Sequence, residues 1–144
     1  MENNIKYELK SGFEQMDFDK VTEMLKDAFW SKGIKKDEVV QGAQNSALVV
    51  GAFNESNEQI RYARIISDKT RFAYILDVMV DERYRKQGIG QSLVNFMMKH
   101  PDLEDVYQWL LITKDAHGVY KKVGFNHVSL HNDWMEIRYT RPER

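Results

Sequence analysis

Two rhythms of apolar and polar residues alternate along the chain, and the points where one gives way to the other mark its elements. In FDKVTEMLKDAFW (18–30), Val21 is followed by Met24, Leu25, Ala28 and Phe29, offsets of three, four, seven and eight. That spacing predicts an amphipathic helix over 18–30, and a weaker pattern predicts a second over 35–45. IKYEL (5–9) predicts a short first strand. SALVVGAF (46–53) and IRYARIIS (60–67), separated by the polar turn NESNEQ (54–59), predict two more. RFAYILDVMV (71–80) predicts a longer strand, apolar on both faces except for Asp77.

The second half repeats the alternation. Ile89, Leu93, Phe96 and Met97 line one face of a helix that stops near His100, ahead of Pro101. VYQWLLI (106–112) predicts a strand. Ala116, Val119, Tyr120 and Val123 then predict a short helix, closed by Gly124 in the left-handed position that follows many helix ends. FNHVSL (125–130) and DWMEIRY (133–139) predict two final strands. The order β-α-α-β-β-β-α-β-α-β-β describes an α/β chain with one mixed sheet and helices on its faces. Nothing resembles an interdomain linker, so one domain is expected over 1–144.

Composition narrows the function classes. A formal charge of −1 argues against a globally basic nucleic-acid binder, and the chain has no cysteine for disulfides or thiolate metal sites. His100, His117, His127 and His131 show no metal-ligand spacing, so no metal is expected. MENNIKYELK lacks the apolar core of a signal peptide, and no apolar run approaches the ~20 residues that span a bilayer. A cytoplasmic protein with no membrane partner is the expectation.

The stretch RKQGIG (85–90) puts two glycines at the entrance of the 89–100 helix, although a glycine within a helix costs about 1 kcal/mol relative to alanine. No Ser, Thr, Asp or Asn stands there to cap the free N–H groups. An anion would serve instead, because the N–H groups and the helix dipole both favour negative charge. Arg85 and Lys86, with Arg83 upstream, add positive charge. The spacing is neither GxxxxGK[ST] nor the dinucleotide fingerprint, since Leu93 stands where the latter needs a third small residue. A diphosphate on main-chain amides fits; the other reading is a tight turn and nothing more. A nucleic-acid site on Arg83, Arg85 and Lys86 is disfavoured, because Asp81 and Glu82 adjoin them and no aromatic platform flanks them.

DVMVDERYRKQGIGQSLVNFMM (77–98) resembles the acyl-CoA-binding motif of the GNAT superfamily of N-acetyltransferases, [QR]-x-x-G-x-[GA], with Arg85, Gly88 and Gly90 at the defining places. DAHGVYKKVGF (115–125) resembles the later A-x-x-x-Y-x-x-x-G-F of the same family through Ala116, Tyr120, Gly124 and Phe125. The resemblance implies a central, mostly antiparallel twisted sheet, splayed between the fourth and fifth strands. It implies acetyl-CoA as co-substrate, its pantetheine arm on the main chain of Val78, Met79 and Val80. The pyrophosphate would lie on Arg85, Lys86, Gln87, Gly88, Ile89, Gly90 and Gln91. Thr113 replaces the asparagine that many members carry at the end of the next strand, and offers a hydroxyl to the arm. Members are often dimers, and the last strands are a common place for exchange, so the resemblance leaves the oligomeric state open, with a homodimer as one option.

Tyr120 is the implied proton donor to the leaving thiolate; on an apolar helix face it also suits plain core packing. Asp77, the one charge in YILDVMV, reads either as the base that takes the amine's proton or as a structural carboxylate bonded to a nearby arginine or amide. Asp115 and His117 are weaker alternatives. Trp30, Tyr74, Asp77 and Trp134 are the expected acceptor contacts, with Glu136 adding negative charge. The expected activity is direct transfer of acetyl to a primary amine in a ternary complex. The short chain favours a small-molecule acceptor, and the lack of cysteine excludes a cysteinyl intermediate. The alternative is a module that binds acyl-CoA and has lost its chemistry.

Overall fold

A computed structural model of the chain describes residues 6–86 and 88–140. Ile5, at the start of the first predicted strand, and Gln87, in the glycine loop, lie outside the described residues.

Five strands form one sheet in the order β1-β2-β3-β4-β5. β1 (Tyr7–Ser11), β2 (Leu48–Asn54), β3 (Gln59–Ser67) and β4 (Phe72–Val80) pair antiparallel in sequence, and β5 (Gln108–Leu111) joins β4 in parallel. A parallel step needs a crossover, and α3 (Ile89–Met98) supplies it. The period of two along β2 sends its side chains to opposite layers. Leu48 and Val50 join Ala63, Ile65, Ala73 and Ile75 beneath Leu93, Val94 and Met97 of α3. Val49 and Phe53 face Val21, Met24 and Leu25 of α1 (Phe18–Leu25) and Val39 and Ala43 of α2 (Lys36–Gln44). Tyr120 of α4 (His117–Lys121), with Val123 and Phe125, extends the α3 layer. Helices therefore cover both faces.

Two expectations are corrected. α1 ends at Leu25 rather than Trp30. Ser31 Oγ donates to the Leu25 carbonyl and the Gly33 N–H donates to that of Lys26, each at 2.7 Å, which folds the chain back on itself. Phe29 consequently stands 64% exposed, and Trp30 is free to turn toward the sheet. The two last strands are also absent from the sheet, which stops at β5. DWMEIRY keeps its alternation, but Met135, Ile137 and Tyr139 are 97, 82 and 83% exposed. A strand needs a ladder to join, and this segment meets none among the described residues.

The splay originates in β4. Arg64 on β3 pairs with Leu76 and Tyr62 pairs with Met79, so Asp77 and Val78 together oppose the single residue Ala63. That is a β-bulge, with Asp77 in the left-handed region at φ 55°. The β4–β5 ladder covers only Phe72–Ile75 against Gln108–Leu111. Beyond it β4 bends at the bulge and parts from β5.

Candidate active site between the fourth and fifth strands

The two strands part where the ladder stops at Ile75 and Leu111, and the glycine loop follows the free end of β4. Asp81 follows β4 and ties the loop down: it accepts from the Arg83 N–H, meets Arg83 Nη2 at 2.8 Å and Lys20 Nζ at 2.6 Å. Glu58 meets the same Lys20 and Arg83 at 3.2 and 2.8 Å. Arg83, and after it Lys20, hold the Asp81 carboxyl well below the usual carboxylate range. Lys86 (φ 62°) and Gly88 (φ 77°) then turn the chain into α3, whose start no side chain caps. A Cβ at Gly88 would meet nothing within 4 Å, so glycine serves there for its backbone angle, over open space. At Gly90 a Cβ would stand 3.2 Å from the Arg61 guanidinium. Arg85 is exposed, 3.8 Å from Glu82.

Asp77 is bound on both oxygens. Arg64 Nε donates to Oδ2 at 2.7 Å and Trp30 Nε1 to Oδ1 at 3.2 Å. Arg64 is anchored in turn on the Gly42 carbonyl and Ser46 Oγ. The bulge, the end of α2 and the loop after α1 are thereby joined into one network. Asp77 and Trp30 thus meet directly. Tyr74, on the same strand, feels the Asp77 charge, and burial first and that charge second raise its phenol pKa. On the other side of Trp30, Phe29 packs edge-on against its ring and Lys114 lies 5.3 Å over the Phe29 ring. Lys114 follows β5, so the α1–α2 loop bridges the two strand ends.

Tyr120 is partly buried, with its ring edge-on to Phe125 at 5.9 Å. Burial raises its pKa while the Arg61 charge opposes the rise, and a protonated phenol is the form able to donate. It shares a cavity of about 270 Å³ with Leu111, Thr113, His117, Phe125 and His127. Thr113 Oγ1 accepts from the Ala116 N–H at 3.0 Å, which holds the turn into α4 and leaves the hydroxyl proton for another acceptor. His117 and Asp115 are exposed, and His117 stacks near His127. Trp134 and Glu136 stand in the exposed tail. Trp134 lines a second cavity of about 340 Å³ with Gln108, Leu110, Val128 and Leu130, on the outer edge of β5 and apart from Trp30 and Asp77.

Three residues that sequence reasoning passed over belong to this region. Arg64 is the arginine that a structural Asp77 required, thirteen positions away across a hairpin. Arg61 shares a face of β3 with Ala63 and Ile65, and a charge on an apolar face was the signal for it. Lys114 carried none.

The model of the Acetyltransferase (GNAT) family matches residues 18–125. The chain belongs to that family. A GNAT-family structure from Xanthomonas campestris pv. campestris is similar over 94% of each chain, at 33% identity and a TM-score of 0.84. A Deinococcus radiodurans R1 structure named for acetyltransferase activity aligns over 96% of this chain and 93% of its own, at 18% identity and a TM-score of 0.75. A Clostridium acetobutylicum acetyltransferase-like structure, solved with acetyl-CoA, aligns over 92 and 96%, at 18% identity and a TM-score of 0.68. The last two show the fold alone. No curated protein sequence matches. Among the described residues no helix is long and apolar enough to cross a membrane.

Proposed function

We propose that this GNAT-family chain is an N-acetyltransferase that moves acetyl from acetyl-CoA to a primary amine of a small molecule, in a ternary complex in the cytoplasm. The observation that carries the reading is the bulge at Asp77–Val78. It parts β4 from β5 ahead of an uncapped helix start. Beyond Ile75 the β5-facing main-chain groups along Val78, Met79 and Val80, which the β4–β5 ladder does not reach, then hold the pantetheine arm. Amides of Gly88 to Gln91, with Arg85 and Lys86 outside, hold the diphosphate, and Gln87 belongs to the same loop. Thr113 donates its hydroxyl to the arm.

In the chemical step the amine nitrogen attacks the thioester carbonyl carbon, the C–S bond breaks, and the Tyr120 phenol protonates the departing sulfur. A strand amide polarises the carbonyl. The proton lost from the amine passes to water and returns to Tyr120 from solvent, so the cycle balances. Asp77 serves as a positioning residue: both its oxygens are committed to donors, which supports the structural of its two readings. Trp30 and Tyr74 line the acceptor side. Trp134 and Glu136 lie in the tail, where Arg138, paired with Glu136, is near enough for its charge to act on Tyr74.

The tail supports the homodimer. Each chain carries an open β5 edge flanked by the two cavities, and an extended segment with bare Met135, Ile137 and Tyr139. Reciprocal docking of 134–140 covers both, as an added strand. The test of the function is thiol release from acetyl-CoA in the presence of a panel of small primary amines. Turnover with at least one amine is expected. Binding of acetyl-CoA with no thiol released for any amine would favour a cofactor-binding module without chemistry.

A further inference from the structure

Arg61 stands on β3 between Ala52 of β2 and Val80, the last residue of β4. Its guanidinium lies under the first turn of α3: a Cβ on Gly90 would stand 3.2 Å from Nη1, 3.6 Å from Cζ and 3.7 Å from Nη2. Its Nε is shut off from solvent without a hydrogen-bond partner. The neighbouring arginines are paired, Arg64 with Asp77 and Arg83 with Asp81 and Glu58. Among the described residues no carboxylate pairs with Arg61. The groups that act on it are the phenols of Tyr120 and Tyr7, and Tyr7 is already committed to Ser92 Oγ at 2.9 Å. Burial accordingly pulls the Arg61 pKa below the ordinary arginine value.

A guanidinium carries five donors and asks for a planar anionic acceptor. Closing its Nε off from water without a partner is unfavourable, and here a second positive source stands beside it. The first turn of α3 directs its free N–H groups and the positive end of its dipole to the same place. Ala63 and Ile65, on the same face of β3, show that this layer is otherwise apolar. An aliphatic residue at 61 would pack there and remove the fault. A fold that keeps two unbalanced positive groups together holds them for an anion from outside the chain. The glycine at 90 belongs to the same arrangement: a methyl there would press on the guanidinium and move it.

We propose that Arg61 is an anion-binding residue whose outer nitrogens reach the diphosphate of acyl-CoA beside the start of α3, where the free amides of Ile89, Gly90 and Gln91 also meet it. The identity of the ligand rests on the acetyl-CoA reading above; the chemical class, a polyphosphate anion, rests on Arg61 itself.

The test compares wild type with Arg61→Met and Arg61→Lys by thermal unfolding and by calorimetry with CoA, inorganic pyrophosphate and pantetheine. Arg61→Met without ligand should melt no lower than wild type, because it loses an unpaired charge. Its affinities for CoA and pyrophosphate should fall about ten- to a hundredfold, the worth of a hydrogen-bonded charge pair. Pantetheine, which lacks the diphosphate, should bind both proteins equally, and Arg61→Lys should fall between them. Wild-type affinity of Arg61→Met for CoA and pyrophosphate would overturn the proposal and leave the acetyl-CoA reading standing. A ligand-free melting point several degrees lower in both variants would overturn it in favour of a structural arginine. Pyrophosphate binding that is lost in Arg61→Met, with no CoA binding by wild type, would support Arg61 and refute the acetyl-CoA reading.

Discussion

Replacing Asp77 by asparagine separates the two roles that a lone carboxylate in a strand can play. The ion pair with Arg64 is short, 2.7 Å, and the two side chains keep only 15 and 18% of their exposure. Breaking a fully buried pair from one side costs about 3–5 kcal/mol. The residual exposure reduces this, and about 2–3 kcal/mol is expected for Asp77→Asn, which keeps the side-chain shape and tolerates the left-handed backbone but accepts from only one of the two donors. Asp77→Ala should cost roughly 1–2 kcal/mol more, because alanine at φ 55° is strained. At about 2–4 °C per kcal/mol for a chain near this size, Asp77→Asn should lower the melting temperature by roughly 5–10 °C. Combined with Arg64→Met it should cost less than the two changes added together, with a coupling of about 1–3 kcal/mol. Below the melting range, kcat should fall less than about tenfold, far short of the loss of a general base. A melting temperature unchanged within a degree, with kcat reduced about 10²–10⁴-fold, would refute the positioning role and make Asp77 the base.

Tyr120→Phe keeps the packing on Phe125 and should lower kcat about 10²-fold or more without weakening CoA binding; because burial raises the phenol pKa, no loss of rate from this group is expected below about pH 10. Gly90→Asp should abolish measurable CoA affinity, since its carboxylate would sit against Arg61 in the diphosphate's place; undiminished affinity in calorimetry would contradict the loop's assignment. The depressed pKa of Asp81 gives stability that is complete above about pH 4 and is lost as the pH falls toward the folded value, so acid unfolding monitored by circular dichroism should be less steep below pH 4 in Asp81→Asn. Deleting 134–144 should convert a dimer to a monomer in light scattering, and a monomeric full-length chain would contradict the docking of the tail.

Residues whose role is set by local spacing were legible in the sequence. The offsets of Val21, Met24 and Leu25 placed α1 against the sheet, and the glycines of RKQGIG marked the uncapped start of α3. What the sequence could not show depended on a second segment. The bulge at Asp77–Val78 is a mismatch between two strands, visible only in their register. The partner of Asp77 comes from β3, and the weight on Arg61 comes from a helix that begins 28 positions later. α1 stops short of Trp30 because Ser31 and Gly33 reach back to carbonyls, a competition that side-chain periodicity does not record. DWMEIRY failed in the opposite sense: alternation states what a segment is able to pair with, while pairing needs a free edge in the right place. Gly88 and Gly90 looked equivalent as letters, yet one serves a backbone angle and the other makes room for a guanidinium.

Calorimetric titration of the purified protein with acetyl-CoA, with ATP as the comparison, tests the cleft most directly. Saturable one-to-one binding of acetyl-CoA is predicted, in the range of about 1 μM to 1 mM usual for enzyme substrates, with ATP binding far more weakly. No heat of binding with acetyl-CoA at millimolar concentration, or equal affinity for ATP, would contradict a cleft built between β4 and β5 for an acyl-CoA.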